Sequence, residues 1–218
     1  MRAFCLACLC LAMADQPLVA DTIYETNSEG NEIALQRNAI VTRQDSSFVV
    51  YKHFELKERR VTVVRLNRGS LPLRVEIGDA AQRAQIVTIW KHFGYKATIT
   101  DQAGKITPVY DLYLDFYPPG GRGSLLESVP ARTNFPLMTD SSGPEEIEFE
   151  KIDRVEIQGG RLNIVLRDGK TVAGKFLMPT AHPAEARILG ITDNYDPSSQ
   201  DVSDYSIPLS QLKSVSFN

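Results

Sequence analysis

Cysteine is confined to the extreme N-terminus: Cys5, Cys8 and Cys10 are the three in the chain. Everything after them lacks a disulfide framework, a thiol nucleophile and a cysteine metal site. Histidine is nearly as scarce. His53, His92 and His182 stand far apart, and neither His-x-His nor His-Glu-x-x-His occurs, so metal-ligand spacing is missing. There is no Gly-x-Ser-x-Gly elbow, and Ser70 and Ser124 read as turn serines. The Gly120-Gly121-Arg122-Gly123-Ser124 loop lacks the Gly-Lys-Ser/Thr ending of a phosphate-binding loop. No metal or cofactor is expected.

Charge of one sign is also lacking. The net charge is −3. Residues 21–100 carry 12 Lys and Arg against 9 Asp and Glu, and residues 101–218 carry 11 against 17. Neither half has the clustered basic face of a nucleic-acid binder, so no nucleic-acid partner is expected. Beyond the N-terminus no apolar run is long enough to span a bilayer as a helix.

What is present begins with a segment that reads as a secretory signal. Arg2 supplies the positive charge, Ala3 to Met13 an apolar run too short for a transmembrane helix, and Leu18-Val19-Ala20 a small-x-small site. Cleavage is expected after Ala20, which makes the product periplasmic or secreted. A cysteine-free chain suits that compartment.

Residues 21–36 are polar and read as a loosely held arm. Strands are expected at Ala39–Arg43, Ser47–Phe54, Val61–Leu66 and Leu71–Ile77, where Pro72 marks a sheet edge or a strand's first residues. One helix follows, over about 79–93. Asp79 is its N-cap with Gln82 completing a capping box, and Ile86, Ile89, Trp90 and Phe93 form its apolar stripe. Gly94 reads as its C′ stop.

The C-terminal half contains a cassette that occurs twice, at 97–158 and 161–217. In the second copy Leu162–Arg167 and Lys170–Met178 flank Asp168-Gly169, a hairpin signal that points to a type I′ turn. The closing segments Ile147–Ile157 and Ile207–Phe217 align without a gap, 60 residues apart, and the turn glycines Gly104 and Gly169 stand 65 apart. Each outgoing strand ends at proline, Pro118-Pro119 or Pro179. The fold class is thus mainly β (α+β), antiparallel, with a strand-rich part over 21–96 and the duplicated part over 97–218.

Ile164 to Phe176, a strand, an Asp-Gly turn and a strand with Gly174 at its bend, resembles the first half of the Sm-like, more broadly SH3-like, small β-barrel pattern. The resemblance implies barrel-like curvature. It does not imply RNA binding, because Pro179-Thr180-Ala181-His182-Pro183 stands where that family carries its aspartate and asparagine loop.

The candidate binding residues lie in the loops after each hairpin. Phe116, Tyr117 and Arg122 combine aromatic anchors, a proline kink and an arginine, and His182 sits in the equivalent loop of the second copy. These loops, Pro118–Ser128 and Pro179–Ala186, suit contact with another envelope protein or polymer. The expected function is an exported, non-catalytic binding or scaffolding protein of the bacterial envelope. A carboxylate-dependent hydrolase using Asp111/Asp115 or Glu145/Glu146/Glu148, and a structural homo-oligomer, are the alternatives. Two further surfaces read as solvated: the basic stretch from Lys52 to Arg68, diluted by Glu55 and Glu58, and the acidic stretch from Asp193 to Asp204, whose functional alternative is Ca²⁺.

Overall fold

The computed structural model describes residues 20–70, 72–120, 130–181 and 183–218. Within them the protein is mainly β, with two antiparallel sheets and one α-helix.

The first sheet contains β1 (Asp21–Thr26), β2 (Glu32–Gln44), β3 (Phe48–Glu55), β4 (Arg60–Asn67) and β5 (Leu73–Glu76) in the order β4-β3-β2-β1-β5. The polar segment expected to be a loose arm is therefore a hairpin, and β1 is an interior strand. The hairpin closes because Asn27 Oδ1 accepts from the Glu29 and Asn31 N–H groups, an Asx turn that polar composition disguises. Asp21 anchors the strand. Its buried carboxylate accepts from the Val41 N–H at 2.6 Å, the Gly78 N–H at 2.9 Å and Arg83 Nη2 at 2.7 Å. β5 is the edge strand and follows directly on Pro72, as proline's missing donor requires.

Helix α1 (Ala80–Phe93) has the capping box: Gln82 N–H to Asp79 and Asp79 N–H to the Gln82 side chain, both 2.8 Å. Its buried face is Ile86, Val87 and Trp90, whereas Phe93 is 48 % exposed, so the stripe sits about one residue round from the expected one. Gly94 is not a left-handed cap. Its φ is −67, and it is glycine because a Cβ there would lie 2.8 Å from Asp111 Cα.

The second sheet contains β6 (Lys96–Asp101), β7 (Ile106–Tyr117), β8 (Asn134–Thr139), β9 (Gly143–Glu148) and β10 (Ile152–Gln158). It continues with β11 (Arg161–Leu166), β12 (Thr171–Phe176), β13 (Glu185–Ile191), β14 (Tyr205–Pro208) and β15 (Leu212–Phe217). A 3-10 turn precedes the last strand of each set, at Phe149–Lys151 and Leu209–Gln211.

The strand order is β14-β13-β7-β6-β15-β10-β11-β12-β8-β9. Exchanging each of β6–β10 for its counterpart in β11–β15 reproduces the same order read backwards. The first hairpin of each set pairs with the second hairpin of the other, β7 with β13 and β12 with β8. At the centre β10 and β15 pair antiparallel, with Val155 opposite Val215, residues 60 apart in sequence. Corresponding turns make corresponding bonds: Gly104 N–H to Asp101 O and Gly169 N–H to Leu166 O. Of the Asp168-Gly169 pair only the glycine takes positive φ, 84, so that turn is not type I′. The two-residue turn with positive φ at both positions is Gly159-Gly160, between β10 and β11.

One core fills the second sheet, with Phe149 in ring contact with Phe135, Phe217 and Tyr95. A second core joins the two sheets through the helix: Trp90, Ile86 and Val87 pack with Ile40 and Val61 on one side and Ile191 and Tyr195 on the other. Asp111 adds a polar tie. It sits at a β-bulge with φ 50, and its carboxylate accepts from the Val61 N–H at 3.1 Å.

Candidate binding groove

A groove of about 490 Å³ opens where the two sets of strands exchange hairpins. Its apolar walls come from Ile157, Leu162, Phe176, Met178, Ala186 and Leu209. Those side chains come from β10–β13, the segment after β12 that carries Met178, and the second 3-10 turn, so among the described residues the groove is an uncovered stretch of the main core. Gly159 and Gly160 form its lip, and since neither has a side chain, nothing from the turn crosses the opening. Among the described residues Glu185 is the single charged residue in the lining.

Both loops singled out in the sequence reach this groove. Pro119 and Gly120, following β7, line it together with Ala184, Glu185 and Ala186, which lead into and begin β13. The second loop is shorter than expected, because Glu185 and Ala186 already belong to β13.

The four candidate residues have different places. Phe116 is fully buried, on the core side of β7 and opposite Ala186, so it supports the groove from behind and offers no surface to a ligand. Tyr117, one residue on, points to the other face. It is half-buried, opposite Glu185, with the Arg187 guanidinium 5.6 Å from its ring centre. Burial and the nearby Asp115 carboxylate push its hydroxyl up to about 12, so it stays protonated at neutral pH. Arg122 and His182 lie outside the described residues.

Sequence reasoning missed what surrounds Tyr117. Along the same face of β7 lie Asp111, Tyr113 and Asp115, all buried. Burial raises Asp111 well above the usual carboxylate range, and Asp115 accepts from the Phe116 N–H at 2.7 Å. The usable signal was the alternation Asp111-x-Tyr113-x-Asp115-x-Tyr117 against Leu112, Leu114 and Phe116, a polar face on a strand buried on both sides.

The remaining candidates are engaged locally. Glu146, on the edge strand β9, pairs with Arg132, and Glu145 accepts from Ser142. In the acidic stretch Asp193 pairs with Lys91, Asp196 accepts from Ser198 and Asp204 from Thr192. Among the described residues no group of three or more His, Cys, Asp or Glu could hold a metal ion. The loop is organised by an internal cation instead. The buried Lys52 ammonium donates to the Ser199 and Asp201 carbonyls, at 3.0 and 2.5 Å, and to the Tyr195 hydroxyl. Desolvation lowers Lys52 to about 8.

Comparison of the chain with family models, curated proteins and solved structures finds no match. No helix among the described residues is long and apolar enough to cross a membrane.

Proposed function

We propose that this is an exported, non-catalytic binding or scaffolding protein of the bacterial envelope, built on a duplicated β cassette, which holds a partner segment in the groove. The observation that carries the reading is that the loops following both cassette hairpins line one apolar opening, through Pro119-Gly120 and Ala184–Ala186. A stretch of core that the described residues leave open, bordered by two converging loops, is a fitting seat for an apolar side chain, with the polar rim fixing its orientation. Export rests on the N-terminal segment. Cleavage after Ala20 would leave Asp21, the first residue of β1, as the new N-terminus.

The test is affinity capture from envelope extract with the wild-type protein and with Ser210→Trp, which puts an indole at the exposed rim of the groove. A partner retained by the wild type and lost by a variant with unchanged circular dichroism supports the reading. A partner held equally by both, or none held by either, refutes it. Mass analysis of the exported product checks the cleavage: a first residue other than Asp21 overturns that site.

A further inference from the structure

The groove has a counterpart at the corresponding place in the other set of strands, and its chemistry is opposite. This second pocket, about 520 Å³, is lined by Gly94 and Tyr95 where the groove has Gly159 and Gly160, and by Arg167 where the groove has Gln102, all 65 residues apart. Glu150 stands where the groove has Ser210 and Phe217 where it has Ile157, both 60 apart. The backbones match in detail: the Gln102 N–H donates to Gln211 O and the Arg167 N–H to Lys151 O, both at 2.9 Å.

Three cations meet in this pocket from three parts of the molecule. Arg59 comes from the tip of the β3–β4 hairpin, Lys96 from the start of β6 and Arg167 from the β11–β12 turn. Each arginine is anchored through its Nε: Arg59 donates to Phe93 O at 3.0 Å and Arg167 to Glu150 O at 3.0 Å. The Arg59 guanidinium also lies over the Tyr95 ring, 4.1 Å from its centre, and shares a side-chain hydrogen bond with Tyr95. That leaves the terminal nitrogens of the Arg167 fork without a bonded partner among the described residues. None of the three cations forms an ion pair there, whereas Arg74, Arg83, Arg132, Arg154, Arg161 and Arg187 all do. Glu150, Asn218 and His92 also line the pocket. Against Glu150 in the lining and Glu148, which also acts on Tyr95, three cations leave an excess of positive charge. Arg59 holds its place at φ 50, a conformation unusual for a residue other than glycine.

We propose that this pocket binds the phosphoryl group of a small organic phosphate. Two guanidinium forks and an ammonium on three different walls match a tetrahedral group with three outer oxygens better than a planar carboxylate. The volume is several times that of inorganic phosphate alone, and Tyr95 and Phe217 provide an aromatic floor for the organic part. The reading is independent of the groove.

The test is calorimetric titration at constant ionic strength with phenyl phosphate, inorganic phosphate and succinate. The expected result is saturable binding of phenyl phosphate, tighter than inorganic phosphate and at least tenfold tighter than succinate. Arg167→Gln should weaken it at least tenfold. That substitution installs the residue the chain itself uses at the corresponding turn, so folding is retained. Glu150→Gln should strengthen binding, and Ser210→Trp in the groove should leave it unchanged. Absence of saturable binding, equal affinity for succinate, or indifference to Arg167→Gln overturns the proposal.

Discussion

The two pockets of the second sheet share a backbone plan and differ in nearly every side chain that faces the ligand space. One has glycine, glutamine, serine and isoleucine where the other has tyrosine, arginine, glutamate and phenylalanine. The difference follows from what lies next to each. The first sheet and its helix reach the charged pocket with Arg59 and His92, and Arg59 stacks on Tyr95. No residue described from the first sheet reaches the apolar groove. Apolar surface that the described residues leave uncovered at one end, and cations they leave without ion pairs at the other, are both costly in a fold that only needs to be stable. Two corresponding positions carrying opposite unmet needs argue for two separate recognition tasks on one scaffold.

The largest test of that contrast is to undo the docking of the first sheet. Trp90 is fully buried between the two sheets, so Trp90→Ala should cost about 3–5 kcal/mol by cavity formation and lost transfer energy. The check is denaturant unfolding. If the variant stays folded, phenyl phosphate binding should fall with the loss of the Arg59 wall while the groove partner is retained. Equal loss of both would show that the two ends are not separable.

Asp111 gives the next effect, and it depends on pH. Burial raises its folded pKa well above 3.8, opposed by the Val61 N–H and the Arg60 charge. The folded chain therefore keeps a proton that the unfolded chain releases near pH 4, and stability falls as pH rises from there through the folded pKa. Asp111→Asn keeps an acceptor for Val61 and tolerates φ 50. It should remove this slope, so that the variant gains on the wild type between pH 4 and pH 7 when urea midpoints are compared. A wild type and variant with parallel profiles would contradict it.

Much of the architecture was legible because it rests on local chemistry. The capping box at Asp79 and Gln82 and the strand edge at Pro72 both have structural counterparts. What was not legible is set at long range. The hairpin β1–β2 was hidden in polar sequence because its anchor, Asp21, finds Val41, Gly78 and Arg83 only after folding. The hairpin exchange between the two sets of strands leaves no trace in periodicity, since each strand alternates the same way whichever partner it takes. For the same reason the sequence could name the loops but not their shared groove. The arginines of the charged pocket lie over a hundred residues apart, at Arg59 and Arg167, and Arg59 had read as part of a solvated hairpin tip.

The smallest expected effect is also the sharpest probe of the contrast. Gln102→Arg places at the groove the side chain that stands at the corresponding turn of the charged pocket. Gln102 is exposed, and its side chain donates to Leu212 O at 2.7 Å much as Arg167 Nε donates to Glu150 O. An arginine can keep such a bond, so stability should change by no more than about 0.5 kcal/mol. The groove should not acquire phosphate affinity, because one fork lacks the second fork and the ammonium that surround the other pocket. Calorimetry with phenyl phosphate on Gln102→Arg combined with Arg167→Gln isolates the question. Weak or absent binding means that the convergence of Arg59, Lys96 and Arg167 makes the site. Restored binding would mean that a single arginine at this turn suffices, and that the first sheet contributes nothing to recognition.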